Sequence, residues 1–311
     1  MFKFTKKAKK KLKMAESRVK FDEDSSNGLF IEEKYIPEEI LSLILCYVDH
    51  KTLLACQLVC KQWQFIMQDF VWHKKAELSL GRVIPKNKSV PWQLYYFSCT
   101  KPFEKNLIKN HSGELGLNAH WTVTASGGNG WKVEAPPHGV PPLPDDPVFE
   151  DKVHCFVTSF YVNPSSRHAQ NVDILSCHKF QIVDLIKEGF TEYLLDNFQP
   201  KIKVSEWIAS RWDCSATYGC DFQLIGVKNK KKVRVFDFKR MIKELTAENN
   251  TQNEWIKVEY TFEGYGKGLR KIKFMHGGQD RRFWRGHYGS KMAGACVKVE
   301  NPIFDVDNDS V

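Results

Sequence analysis

The rhythm of apolar and polar positions changes twice along the chain. In "YIPEEILSLILCYVDHKTLLACQLVCKQWQFIMQDFVWHKKAELSLG", Ile40, Leu43, Ile44, Tyr47 and Val48 recur at the three-to-four spacing of an amphipathic helix. Pro37 suits a first helical position, where its missing N–H costs nothing, and Glu38 and Glu39 place negative charge at the positive end of the helix dipole. "VDHKT" interrupts the run. A second helix carries Leu53, Leu54, Gln57, Leu58 and Lys61, and a third is predicted from Trp63 to Phe70. Three helices in under about 50 residues make a very small core, which needs a partner to cover its apolar face.

From residue 103 the period becomes two. In "EWIKVEYTF", Ile256, Val258, Tyr260 and Phe262 alternate with Lys257, Glu259 and Thr261, and "LRKIKF" repeats the pattern with Ile272 and Phe274. "CDFQLIG" and "KKVRVFDF" flank "VKNKK" as a hairpin with a charged turn, and "ACVKVE" is a late strand. Many short strands between turns predict an antiparallel sandwich or jelly roll. "APPHGVPPLPDDP" reads as a stiff surface loop, and "DLIKEGFTEYLLDNFQP" carries a partly helical period among strands. "HGGQDRRFWRGHYG" follows neither period and reads as a loop, with Phe283, Trp284 and Arg285 side by side at its centre.

The chain has 311 residues, 42% hydrophobic and 27% charged, which is globular composition with enough apolar mass for roughly two domains. Its formal charge of +9 is localised: residues 1–20 carry net +8 through eight lysines and Arg18 against Glu16, leaving +1 for the remainder. That basic stretch reads as a disordered, solvated arm, or as a patch that adheres to an anionic membrane surface or serves nuclear import. A nearly neutral body gives no reason to expect nucleic-acid binding. The nine cysteines include no C-x-x-C pair, which points to a reducing compartment. There is no membrane span, secretory signal, P-loop, H-E-x-x-H, Gly-x-Ser-x-Gly or metal-ligand spacing, so neither cofactor nor metal nor catalytic set is expected.

Ile36-Pro37, the pair Ile44-Leu45, "LVCKQW" from Leu58 to Trp63, and Trp72 resemble the F-box. The resemblance implies docking on a Skp-type adaptor of a cullin–RING ubiquitin ligase through Ile36, Pro37, Ile44, Leu45, Leu58, Val59 and Trp63. Further pieces, "PWQLYYFS", "NLIKN", "GGNGWKVE", "CFVTSF", "EWIASRWD", "YGKGLRKIKFMHGGQD" and "FWRGHYG", resemble the F-box-associated domain of the sugar-recognising F-box proteins. The family fold is a β-sandwich. Its best-known members grip the chitobiose core of high-mannose N-glycans and hand misfolded glycoproteins to ubiquitin ligases, in ER-associated degradation.

By that resemblance the glycan contacts fall on Phe283, Trp284 and Arg285, with Asp213 as acceptor from another loop and Phe160 as a further aromatic. A flat ring covers the C–H face of a pyranose, while charged groups bond its hydroxyl rim. The chain departs from the pattern in carrying Phe283 where glycan binders have Tyr, Arg285 where they often have Lys, and extra residues after "TSF" that leave Phe160 or Ile174 for the further aromatic. The alternative is that the loop rings plug the sandwich end, and that the sandwich serves an adaptor binding a protein or peptide surface without sugar. His276 and Asp280 are expected to steady a turn.

The expected organisation is therefore a multi-domain chain. A basic tail occupies 1–30, an all-α F-box 31–77, a linker 78–102, an all-β antiparallel, jelly-roll-like sandwich 103–302, and an acidic tail 303–311. The expected role is a non-catalytic receptor subunit, cytoplasmic or at the cytosolic face of the endoplasmic reticulum, with N-glycosylated clients.

Overall fold

The structure, a computed structural model, describes residues 28–31, 34–87, 90–100, 102–160, 176–228 and 232–304. The basic tail up to residue 27, Ile174 and the acidic tail beyond Phe304 lie outside the described residues. The chain divides into two compact units, Met1–Lys101 with Ile303–Val311, and Pro102–Pro302.

The first unit opens with a two-stranded ladder, β1 (Phe30–Ile31) and β2 (Lys34–Tyr35), followed by helices α1 (Glu38–Tyr47) and α2 (His50–Cys56). Pro37 stands one place ahead of its expected position, as the N-cap of α1. Asp49 caps α2 by accepting the N–H of Lys51 and Thr52 at 3.0 and 3.1 Å, and hydrogen bonding, first from the Thr52 side chain and then from these N–H groups, holds its carboxyl below its ordinary pKa. The third expected helix is longer than its pattern suggested. From α3 (Lys61–Ile66) it passes through a π-helical turn (Met67–Val71) into α4 (Trp72–Leu80), ending at Gly81 in the left-handed region, φ 69°. A further helix, α5 (Trp92–Cys99), occupies the stretch expected to be a linker. Trp72 explains it: the fully buried ring stacks on Trp92 and meets Tyr96 edge-on, 5.8 and 5.4 Å between centroids. Residues after the expected boundary thus complete the core.

The second unit is the antiparallel sandwich that the alternation predicted. Its strands are β3 (Thr122–Ser126), β4 (Lys132–Glu134), β5 (Cys155–Val157), β6 (Cys177–Asp184), β7 (Ile202–Ala209), β8 (Ala216–Lys228), β9 (Lys232–Leu245), β10 (Ile256–Phe262), β11 (Leu269–Asp280) and β12 (Lys291–Val299). One sheet has the order β10-β7-β12-β5-β4, the other β3-β6-β11-β8-β9. β8 and β9 pair as the expected hairpin. The ambiguous "DLIKEGFTEYLLDNFQP" leaves β6 and forms a short helix, α6 (Glu192–Asn197), capped by the Thr191 hydroxyl, which accepts from Leu194 N–H at 3.1 Å.

"HGGQD" corrects the loop expectation. It is the end of β11, paired on both sides, with Gly277 opposite His178 and Gly219 and Gly278 opposite Cys177 and Tyr218. The two glycines answer to space. A Cβ on Gly277 would stand 2.2 Å from the Cys177 carbonyl oxygen, and one on Gly278 2.0 Å from Ser290 Oγ. His276 does not steady a turn either. It is fully buried, stacked 4.5 Å from Trp121, with Nδ1 2.6 Å from Glu206 Oε1. The Tyr218 hydroxyl donates to the other Glu206 oxygen at 2.7 Å. Burial lowers the His276 pKa and raises that of Tyr218. Lys179 joins this interior fully buried, its Nζ over the faces of Phe156, Trp131 and Trp121 and without a hydrogen-bond partner among the described residues. Burial drives its pKa well down.

Candidate functional site

The strand registers bring five connections to one end of the sandwich. Asp280 pairs with Ala216, Ala216 with Leu245, and Ser126 with Cys177, while Lys291 pairs with both Ala209 and Val157, and Ile256 with Ile208. The segments 127–131, 210–215, 246–255 and 281–290, with the described ends of a fifth at 158–160 and Ser176, therefore emerge together. Phe283, Trp284, Arg285, Asp213 and Phe160 all lie on them.

The loop carrying the aromatic pair is fixed by Asp280, a buried carboxyl at the last position of β11. One of its oxygens accepts the N–H of Arg282, Phe283 and Trp284, at 2.9 Å for the first and 3.3 Å for the last; the other accepts the buried N–H of Phe160 at 3.0 Å. Burial raises the Asp280 pKa against the pull of these bonds. The expected turn-steadying role thus belongs to Asp280. Phe283 stands in the left-handed region at φ 58°, which for a non-glycine residue needs such external support. The far side of the loop is tied by Gly286 N–H donating to Asn129 Oδ1 at 2.8 Å. On this frame Phe283 is 58% and Trp284 42% exposed. Trp284 rests edge-on against Tyr288, 5.4 Å between centroids. Arg285 is exposed, and no ion pair to it occurs among the described residues.

Asp213 lies across this surface on the β7–β8 connection. Arg211 grips it with two bonds, Nε to Oδ1 and an Nη to Oδ2, both 2.8 Å. Those bonds hold the Asp213 pKa below its ordinary value. Each carboxylate oxygen has a further lone pair for a ligand. The Arg211 guanidinium also lies 4.9 Å from the centre of the Tyr288 ring. Contacts therefore run unbroken from Trp284 through Tyr288 and Arg211 to Asp213, and the two expected poles of the site share one surface. Phe160 is placed differently from expectation. It is only 3% exposed and packs beneath Phe283 at 4.9 Å, so it supports a contact ring instead of offering a face.

Sequence reasoning assigned no role to Arg211, Asn129, Tyr288 or Trp212. "SRWD" held a signal, since an arginine two places before a carboxylate can grip it. Asn129 and Tyr288 depend on contacts between distant loops, which spacing cannot show.

The helical unit has a surface of another kind. The α1 stripe found in the sequence points outward: Ile40, Leu43, Ile44 and Tyr47 are exposed, while Leu41, Ser42, Leu45 and Cys46 are buried. Leu58 and Val59, in the turn after α2, are also exposed, as is Pro37, and Ile36 and Trp63 are half-buried. Trp63 Nε1 donates to the Gly28 carbonyl at 2.6 Å. Leu45 is the correction: at 3% exposure it faces the core and cannot meet a partner. A helix that buries one stripe must turn the next residue, here Ile44, away.

The helical unit thus carries an exposed aliphatic face, and the sandwich a rigid cluster of aromatic and charged loop residues. An F-box-like family matches residues 34–77, and the F-box associated region family matches residues 98–299; the chain belongs to the F-box proteins that carry this associated region. F-box only protein 6 of Rattus norvegicus is 32% identical over 272 residues, covering 86% of each chain. The Homo sapiens protein of that name is 33% identical, over 85% of this chain and 83% of its own length. F-box only protein 27 of Mus musculus is 32% identical, over 85% and 89%. Among solved structures, a carbohydrate-binding module in complex with beta-1,4-galactotriose aligns over 63% of this chain and all of its own, at 12% identity and a TM-score of 0.35, a likeness too distant to bear on function.

Proposed function

We propose that the chain is the substrate-recognition subunit of an SCF-type cullin–RING ubiquitin ligase, non-catalytic itself, and that its sandwich end binds the chitobiose core of N-linked high-mannose glycans. The exposed face of α1, with Ile36, Pro37, Leu58, Val59 and Trp63, engages a Skp-type adaptor and through it the cullin. Trp284 stacks on the C–H face of a pyranose and Phe283 extends that wall. Arg285 donates to the hydroxyl and amide rim, and Asp213 accepts from it. Clients are then misfolded glycoproteins presented for ER-associated degradation, met in the cytoplasm or at the cytosolic face of the endoplasmic reticulum. No described helix is long and apolar enough to cross a membrane; the lysine-rich tail supplies attraction to an anionic surface.

The observation that carries this reading is the pairing of two half-exposed rings on a loop fixed by Asp280 with a carboxylate held ready by Arg211. A plug would bury its rings; Phe283 and Trp284 stay open while Phe160 beneath them is closed. The test is calorimetric titration with chitobiose. Wild type should bind, and Trp284→Ala should fold normally yet lose about 1–3 kcal/mol, roughly a 5- to 150-fold drop in affinity. Folded wild-type protein silent on both chitobiose and a high-mannose array would overturn the sugar reading and leave an adaptor for a protein or peptide surface.

A further inference from the structure

At the same end of the sandwich stands a ring that neither the aromatic pair nor Asp213 requires. Trp212 is 64% exposed, more than Phe283 or Trp284. Its backbone is anchored on both sides. Its N–H donates to the Gly139 carbonyl at 3.0 Å, and its own carbonyl accepts from Gln252 Nε2 at 2.5 Å. Gln252 is positioned in turn by the Ser215 hydroxyl, which donates to its Oε1 at 3.0 Å. Arg211 and Asp213, the neighbours on either side, are locked to each other. A tryptophan whose own backbone N–H and carbonyl are both bonded presents a large flat surface at little ordering cost. Holding such a ring out in water brings the fold itself no return, so its exposure points to a ligand.

The company Trp212 keeps selects the ligand. Among the described residues, the large exposed apolar side chains on the five connections are Trp212, Phe283 and Trp284, all of them planar. The same connections carry Arg285, Asp213, Arg282 and Asn129. The helical unit offers the opposite pattern: Ile40, Leu43, Ile44, Leu58 and Val59, mostly aliphatic and suited to a protein. Isolated flat rings set among charged and amide groups match the faces and rims of successive sugar rings.

We propose that Trp212 is a second saccharide platform, stacking a pyranose that lies beyond chitobiose, with Asp213 between the two platforms accepting from both units. The inference rests on the chitobiose reading of Trp284. In an N-glycan the sugar beyond chitobiose is mannose, and the other direction leads to the asparagine and its peptide. The receptor therefore reads the branch point as well as the core, and separates trimmed glycans that end at chitobiose from those retaining mannose.

The test compares three ligands on the full-length protein by calorimetry: chitobiose, chitobiose extended by its three core mannoses, and chitobiose on a short asparagine-containing peptide. Wild type should prefer the mannose-bearing glycan over chitobiose by roughly tenfold, the effect of one stacked ring. Trp212→Ala should collapse that ratio towards one, and Trp212→Phe should restore part of it. Equal wild-type affinity for the first two ligands overturns this inference and leaves the Trp284 site standing, as does a Trp212→Ala variant that weakens both by the same factor. If the preference and its loss appear on the peptide-bearing ligand instead, Trp212 faces protein and the platform assignment is wrong. If wild type binds none of the three, the chitobiose reading falls, and this inference with it.

Discussion

Replacing Asp280 by alanine should loosen the recognition loop while leaving every contact ring in place, and the size of the effect follows from its four bonds. The Phe160 N–H is buried, so losing its acceptor costs about 1–3 kcal/mol. The N–H groups of Arg282, Phe283 and Trp284 border an exposed turn and regain water, which holds their loss to about 0.5–1 kcal/mol each. Against this, Phe283 no longer has to stay at positive φ, and relaxation recovers about 1 kcal/mol. The balance is about 2–5 kcal/mol of destabilisation. For a unit of this size that lowers Tm by roughly 5–15 °C. Because the relaxed loop must return to its strained form to bind, chitobiose affinity should fall by the same ~1 kcal/mol, about fivefold. Asp280→Asn should fall between, since one amide oxygen can serve one side while its NH2 confronts donors on the other. Scanning calorimetry with and without chitobiose measures both quantities. An alanine variant that melts within about 2 °C of wild type would refute the argument that this carboxylate holds the loop.

Three further outcomes are expected. Arg211→Ala should move the acid limit of chitobiose binding upward. The Asp213 pKa is depressed by Arg211, so its carboxylate is fully present above the ordinary Asp value and is lost only as pH falls through the lower folded value; without Arg211 the loss should begin near about 4, read as affinity against pH. Lys179→Met should raise Tm at pH 7. Burial depresses the lysine's folded pKa, so wild-type stability rises with pH from that value towards the unfolded ~10.4, and the variant's advantage should shrink over the same window. In the helical unit, Ile44→Asp should abolish co-purification with a Skp-type adaptor while Tm stays within a few degrees, whereas Leu45→Ala should cost about 2–5 kcal/mol of stability because its side chain lies inside.

Much of the fold was legible because burial imposes a period. Val258 and Phe262 are buried where alternation put them, and α1 spans the predicted stripe. The stripe's direction was not legible, because a small unit that meets a partner carries apolar residues on two faces, and periodicity alone cannot say whether Ile44 or Leu45 is core. Gly277 and Gly278 misled for a physical reason: glycine signals a turn through its backbone freedom, but here it answers to neighbours on either side that leave no room for a Cβ. Lys179 lies fully inside, against composition, its amine surrounded by three aromatic faces and pushed by burial towards its neutral form. The placement of Phe283, Trp284 and Asp213 at one end of the sandwich was implied by the resemblance carried by "FWRG" and "SRWD". The loop-to-loop ties that fix them, Asp280 to Phe160 and Asn129 to Gly286, join residues 120 and 157 positions apart and leave no mark in local spacing.

The division between strands that hold and connections that present has an evolutionary consequence. The connections 127–131, 210–215, 246–255 and 281–290 leave and re-enter the sheets at paired positions, so a residue at a loop apex can be exchanged, or a loop lengthened, without changing any strand's register. Duplicated copies of such a chain can drift at these connections while keeping the helical unit untouched. Trp212, Phe283 and Arg285 lie on the part of the molecule where that drift meets the least resistance, whereas Asp280, placed at the hinge between strand and loop, is the position through which every variant of the surface would still have to be held.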